Sequence, residues 1–256
     1  MKVTVLGSGT SQGIPVIGCH CKVCQSNDTK DKRFRSSIMV EIDNKRIIID
    51  TGPDFRSQIL RANVDFIRAI LITHEHKDHL AGLDDVRAFN YYQDKKELGI
   101  DVFASERTTK TIKNDFAYAF TEHKYPGVPE IKLHLVDDNP FYIDDIEIIP
   151  IPIMHYKLRI YGYRIGEFAY ITDGSYIPEE SMKLLKGTKT IIINALRKEP
   201  HPAHFCLSEA LKIIKDLNVE SAYLTHIGHQ MGLYKEVSKE LPANVALAYD
   251  TQEIYV

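Results

Sequence analysis

Short apolar runs, each closed by glycine, proline or a polar turn, alternate with stretches of helical periodicity along most of this chain. Runs of this length read as buried strands, and the residues that bound them as turns. Residues 2–6 are the first, with Val3 and Val5 on one face. Residues 38–42 and 46–50 flank Asp43-Asn44-Lys45 and predict a hairpin, because asparagine tolerates the left-handed backbone of such a turn. Further strands are predicted at 69–72, 102–104, 147–155 and 190–194, in a hairpin over 161–172 turning at Gly166-Glu167, and from Ser221 to His226. Residues 245–248 and 252–256 are expected to close the second of two sheets. Helices are predicted at 55–62, 80–89, 106–120, 178–185 and 209–217, the last capped by Ser208. Ile112, Phe116 and Ala119 share one side of the third helix. The alternation predicts one α/β domain over residues 1–256, large enough for a sizeable core.

Composition narrows the setting. Hydrophobic residues make up 44% and charged residues 26%, ordinary values for a globular chain. There is no run of 18 apolar residues to span a membrane. The first residues turn polar too soon for a signal peptide, so a cytoplasmic setting is expected. A net charge of −3 offers no global basic field for nucleic acid. Three of the four cysteines crowd together, which argues for reduced thiols or metal ligation rather than a disulfide framework.

The chemistry gathers in two places. The strand at 69–72 runs directly into Thr73-His74-Glu75-His76-Lys77-Asp78-His79. A lone loop histidine is usually just solvated, but three with an aspartate in one tight turn read as metal ligands. Their nitrogen and oxygen donors suit zinc, manganese or iron(II). The second place is Cys19-x-Cys21-x-x-Cys24, three thiols within reach of one tetrahedral Zn²⁺. Left free, an exposed thiol cluster would invite oxidation with no gain in packing. A fourth ligand must come from elsewhere, since the adjacent His20 side chain diverges. The glycine-rich stretch 7–13 lacks the spacing of a phosphate cradle and reads as a tight turn lining the site. The aromatic segment 118–126 either covers the mouth of the site or packs at a helix end.

His74-x-His76-x-Asp78-His79 resembles the signature of the metallo-β-lactamase superfamily. The resemblance implies a four-layer αβ/βα sandwich, two mixed sheets flanked by helices, with a binuclear metal site at one edge. With Gly13, Pro15, Gly18, Cys19, Cys21 and Cys24 in the pattern G-x-P-x-x-G-C-x-C-x-x-C, the chain is similar to the phosphoribosyl 1,2-cyclic phosphate phosphodiesterases of the carbon–phosphorus lyase pathway and their close relatives.

That resemblance implies a set of roles. His74, His76 and His155 hold one metal, Asp78, His79 and His226 the other, and Asp173 bridges them. Asp50, in Asp50-Thr51-Gly52, supports the metal loop without binding metal. His229 is the fourth ligand of the three-cysteine zinc, whose loop covers about residues 13–24. Asp78 and His204 are the catalytic candidates, His204 by stabilising phosphate or protonating the leaving group. His201 is expected to face solvent and Cys206 to pack in the core. Arg87 and Arg197 are weaker candidates for phosphate contact, and Asp84-Asp85 departs from the expected pattern and leaves the ribosyl substrate open.

The expected cofactors are two divalent metals, Mn, Zn or Fe, and one structural Zn. The expected reaction is hydrolysis of a small phosphodiester, cyclic ribosyl esters included, by attack of a metal-bridging hydroxide. Two alternatives stay open: a transfer-RNA 3′-processing type of endonuclease, and hydrolysis of a lactone or thioester. The acidic charge speaks against the first. The flavodiiron branch of the fold carries glutamate where His76 stands, so the histidine argues for hydrolysis over redox chemistry. A homodimer is implied by resemblance alone, and no membrane partner is expected.

Overall fold

The computed structural model describes residues 1–92, 99–124 and 127–256. In chain order the strands are Lys2–Gly7 (β1), Ser37–Ile42 (β2), Lys45–Ile49 (β3), Ala69–Leu71 (β4), Ile100–Ser105 (β5), Ile131–Val136 (β6), Phe141–Ile143 (β7), Ile146–His155 (β8), Leu158–Ile165 (β9), Phe168–Ile171 (β10), Thr190–Asn194 (β11), Ser221–Thr225 (β12), Val245–Leu247 (β13) and Glu253–Tyr255 (β14). The helices are Phe55–Arg61 (α1), Lys77–Leu80 (α2), Arg87–Tyr92 (α3), Glu106–Asp115 (α4), Glu179–Leu184 (α5), Leu207–Leu217 (α6) and Tyr234–Val237 (α7).

The strands form two seven-stranded sheets, β14-β1-β2-β3-β4-β5-β6 and β13-β12-β11-β10-β9-β8-β7. Both are mixed in the same way. One side of each is an antiparallel run and the other, β3 to β6 or β10 to β13, is parallel. Side chains alternate across each strand. Val3, Val5, Ile47 and Ile49 of the first sheet therefore meet Tyr163, Phe168, Tyr170 and Ile192 of the second in a central apolar layer. Ile48 and Ile70 face outward, against Phe55, Phe89 and Ile112. Ile171 and Ile193 face outward on the other side, against Ala210 and Ile214 of α6. The result is the expected helix–sheet–sheet–helix sandwich. Among the described residues no helix is long and apolar enough to cross a membrane.

Several boundaries differ from expectation, each for a local reason. β14 adds to the first sheet beside β1, pairing Val3 with Ile254, and only β13 closes the second. An apolar run of this kind carries no mark of which sheet it joins. The helix expected over 80–89 is broken: α2 ends at Leu80, a 3-10 turn covers Leu83–Val86, and α3 follows. Gly82 is the cause. Its N–H donates to the Thr51 carbonyl at 2.8 Å, and a Cβ there would lie 2.1 Å from the Gly52 carbonyl oxygen. Helix α4 stops at Asp115, and a separate turn, Ala117–Ala119, keeps Phe116 and Ala119 buried. Helix α6 starts at Leu207, and its cap is Cys206, whose N–H donates to Glu209 Oε2 at 2.8 Å. Ser208 lies inside the first turn, while Cys206 is buried as expected. β6 and β7 carried no sequence expectation; β6 is an edge strand with Leu135 exposed, so its alternation is weak. In the segment 118–126, Tyr125 and Pro126 lie outside the described residues.

Candidate metal centre

The C-terminal ends of β4, β8, β10 and β12 open on one edge of the sandwich, and the ligand-type side chains collect there. From the first sheet, β4 leads through Thr73 into the turn that becomes α2. Asp50, just past β3, organises that turn. Its Oδ1 accepts the Thr73 N–H at 2.8 Å, and its Oδ2 lies 2.7 Å from His79 Nδ1. Both Asp50 and His79 are fully buried. The Thr51 N–H donates to the His79 carbonyl at 2.7 Å, and a Cβ on Gly52 would lie 2.0 Å from the Asp78 carbonyl oxygen. The glycine is therefore required for the two loops to interlock.

Asp50 accepts a hydrogen bond from His79 Nδ1–H and so turns Nε2 toward the basin. That Nε2 lies 3.1 Å from Asp78 Oδ2 and 3.2 Å from Asp173 Oδ1, yet makes no hydrogen bond to either. Burial works against charge on His79, but Asp173, Asp78 and Asp50 outweigh it and raise its pKa well above the ordinary imidazole value. The basin thus calls for positive charge. A proton on Nε2 would be poorly directed, whereas a cation at the common focus of these three groups would satisfy them all. The donor set fits a divalent metal.

The second sheet supplies one residue per strand end. His155 closes β8, Asp173 follows β10 and His226 follows β12. Asp173 and His226, like Asp50, have left-handed backbones, with φ of 57°, 53° and 69°. Such angles are uncommon outside glycine and cluster where function constrains the chain. Asn194 holds the Asp173 turn by accepting the Gly174 N–H at 2.8 Å and donating to the Gly174 carbonyl at 2.9 Å. His226 Nδ1 lies 2.9 Å from Asp173 Oδ1. The ligand atoms of His74, His76 and His155 lie within 4.8 Å of one another, as do those of Asp78, His79, Asp173 and His226. The His76 and His155 side of the basin is open, since His74, His79, Asp173 and His226 are buried and His76 is exposed.

His204 stands beside this basin. Its Nδ1 is buried with no hydrogen-bond partner, 4.0 Å from Asp173 Oδ2. Its ring centroid is 4.7 Å from that of His155 and 4.9 Å from that of His226. Burial, reinforced by His226, pushes its pKa down to about 3. His201 departs from expectation: it is half-buried, with its ring 5.1 Å from His204. Arg197 donates to the carbonyls of Glu199 and Pro200, at 3.3 and 2.8 Å, and so braces the loop that carries both histidines. Arg87 is paired with Asp84, which also accepts from Tyr118.

Cys19, Cys21, Cys24 and His229 converge as a separate group, with the three Sγ atoms 3.2, 3.4 and 3.5 Å from His229 Nδ1. The Cys24 N–H draws the Cys21 thiol down to about 6, and burial pushes the Cys24 thiol up to about 11. Three thiols and one imidazole at this spacing suit tetrahedral zinc. His229 follows His226 by three residues, so one segment serves both groups. Thr10, in the stretch 7–13 expected to line the site, has its Oγ1 3.1 Å from His226 Nε2; sequence reasoning missed Ser36, whose Oγ is 3.3 Å from His226 Nδ1. Hydroxyl residues are too common for their type to mark them. It also missed Ala203, whose carbonyl oxygen lies 2.7 Å from His155 Nδ1, because a backbone group leaves no trace in composition.

Residues 45–227 match the family model described as a beta-lactamase superfamily domain. The chain belongs to the metallo-β-lactamase superfamily. A solved structure, a diphosphatase from the PhnP family, is 40% identical with a TM-score of 0.93, covering 100% of this chain and 97% of that one. A protein of Porphyromonas gingivalis named octanoyltransferase is 39% identical over 259 residues, covering 100% of this chain and 52% of that protein. A ribonuclease Z of Nostoc punctiforme is 27% identical over 169 residues, 65% of this chain and 47% of that protein. The chain thus spans about half the length of these curated relatives.

Proposed function

We propose that this protein is a metal-dependent hydrolase that cleaves a small phosphodiester or diphosphate ester, and that His74, His76 and His155 would hold one divalent metal, Asp78, His79 and His226 a second, with Asp173 shared between the two groups. Bound metals would supply Lewis-acid charge at the phosphoryl oxygens and lower the pKa of water. The protein's own part is to hold the rings through Asp50 and Ala203, to keep water-poor walls around the buried ligands, and to present His204 to the substrate. The observation that carries this reading is the unpartnered, buried Nδ1 of His204 facing the basin beside Asp173. A phosphoryl oxygen that accepts a hydrogen bond from the neutral ring is the partner that it lacks. Likeness to a diphosphatase over the whole chain supports phosphorus chemistry.

Zn or Mn in the basin, a structural Zn on Cys19, Cys21, Cys24 and His229, a cytoplasmic setting and a homodimer belong to the same reading. The name octanoyltransferase belongs to a protein about twice this length, and it puts acyl chemistry among the readings to test. Ribonuclease Z does the same for transfer RNA. The test is turnover by the Mn²⁺- or Zn²⁺-loaded protein of bis-p-nitrophenyl phosphate, a 2′,3′-cyclic nucleotide, a ribosyl cyclic phosphate, a diphosphate ester, a precursor transfer RNA, a lactone and an octanoyl thioester. Phosphodiester or diphosphate turnover lost in His204→Ala is expected. Turnover of the lactone or thioester alone sinks the assignment, and preference for the RNA moves it to the nuclease reading.

A further inference from the structure

Resting on the phosphodiesterase reading, we infer that His201 is a substrate-contacting residue that receives a second phosphoryl group beyond the one in the metal basin. The Ala203 peptide fixes the hydrogen-bonding sense of two rings at once. Its N–H donates to His201 Nδ1 at 3.2 Å, so that nitrogen is an acceptor and the proton of the neutral ring sits on Nε2. Its carbonyl accepts from His155 Nδ1 at 2.7 Å, which leaves the other nitrogen of His155 free for the basin. His201 Nε2 bonds to no described residue and is a free donor.

Three rings then run outward in a row. His226, His204 and His201 are spaced 4.9 and 5.1 Å apart between neighbours. The first belongs to the basin, the second borders it, and the third, half-buried, lies one ring farther on. Donors arranged this way suit a ligand whose acceptor oxygens continue past the reacting phosphorus. Arg197 decides between a neutral and an anionic acceptor. Its guanidinium donates to the carbonyl of Pro200, the residue before His201, at 2.8 Å, and it forms no ion pair with an acid among the described residues. A cation not paired with an acid, next to a free N–H donor, favours a phosphoryl group over a sugar hydroxyl. The substrate class is therefore a diphosphate-linked ester.

The experiment is competitive binding of inorganic pyrophosphate and orthophosphate to the zinc-loaded full chain, with zinc content measured before and after. Wild type should prefer pyrophosphate. His201→Ala should lose about tenfold in pyrophosphate binding and leave orthophosphate unchanged, the scale of one hydrogen bond to a charged group. His201→Gln, which keeps a donor near the Nε2 position, should restore most of the preference. An equal loss for both anions, or an unchanged preference, overturns the inference. To guard against a merely structural effect through Ala203, ¹⁵N-histidine NMR of the wild type follows His201 directly. Its Nε2–H signal should shift with pyrophosphate, and a shift of His204 alone also overturns the inference. Failure to hydrolyse any phosphorus ester would sink the broader assignment and leave these binding results to stand or fall by themselves.

Discussion

The two sheets build the same basin by different means. The first packs four ligand-type residues, His74, His76, Asp78 and His79, into a single turn interlocked with Asp50 and Gly52. The second spreads three, His155, Asp173 and His226, over the ends of three strands, each held by its own partner. The concentrated half concentrates risk, because one buried acid governs the whole turn. The dispersed half relies on separate clamps, namely Ala203 for His155, Asn194 for the Asp173 turn, and Thr10 and Ser36 for His226.

The contrast can be broken most directly at His79. His79→Ala should abolish turnover, by well over a hundredfold, beyond the range for a residue that only supports a ligand. Metal analysis and rate against bis-p-nitrophenyl phosphate check this together; near-normal turnover would remove His79 from the centre. Asp50→Asn should follow, with metal affinity or rate falling about 10- to 100-fold, read by titration with zinc in a chelator buffer. A smaller change there than in Asn194→Ala would reverse the ranking of the two halves.

Cys21→Ser sharpens the comparison from outside the basin. It should remove one equivalent of zinc and lower Tm, and reduce turnover less than Asp50→Asn does. Full zinc content and unchanged Tm would show that the cysteine group is not a structural site.

The smallest effect is expected at the opposite end of the sandwich. There Arg68 bridges Asp101 of the first sheet, at 2.6 Å, and Asp144 at the β7–β8 turn of the second, at 2.8 Å. Burial works against the Asp101 carboxylate, but Arg68 and His134 outweigh it and hold its pKa below the ordinary value of 3.8. A depressed acid contributes stability that is fully present above its unfolded pKa and fades as pH falls through the folded value. Asp101→Asn should therefore cost about 1 kcal/mol or less near neutrality. The gap between the melting curves of mutant and wild type should narrow as pH falls through the ordinary carboxylate value of 3.8 and close only below the depressed folded value. A gap that persists in acid would mean that Asp101 acts through packing rather than charge.

The same contrast explains what the sequence made legible. The first-sheet candidate ligands stand within six positions, so their pattern was visible without any fold. His155, Asp173 and His226 are lone polar residues after apolar strands, and only resemblance singled them out. The central strands were readable from apolar runs, whereas the sheet taken by β14 was not, because pairing partners 251 residues apart leave no local mark. The helix break at Gly82 was hidden too: helical periodicity continues past it, and the obstacle is the Gly52 backbone from another segment. His201 was expected to face solvent because His204 alone had the right spacing to the following helix, whereas Arg197 and Ala203 hold that loop so that the His201 ring is half-buried beside His204.

Asp50, Asp173 and His226 share backbone angles that asparagine or glycine would adopt with less strain. The substitutions that would ease the chain at these points are the ones that remove its charge or its imidazole. Metal-free Asp50→Asn, which also removes a buried carboxylate whose pKa burial pushes up, should melt above the metal-free parent. Selection of variants by heat tolerance alone would therefore drift toward well-folded, inactive proteins, and it would do so first at these three strand ends. Keeping the site intact during such a selection requires metal in the medium, so that ligand loss carries a cost of its own.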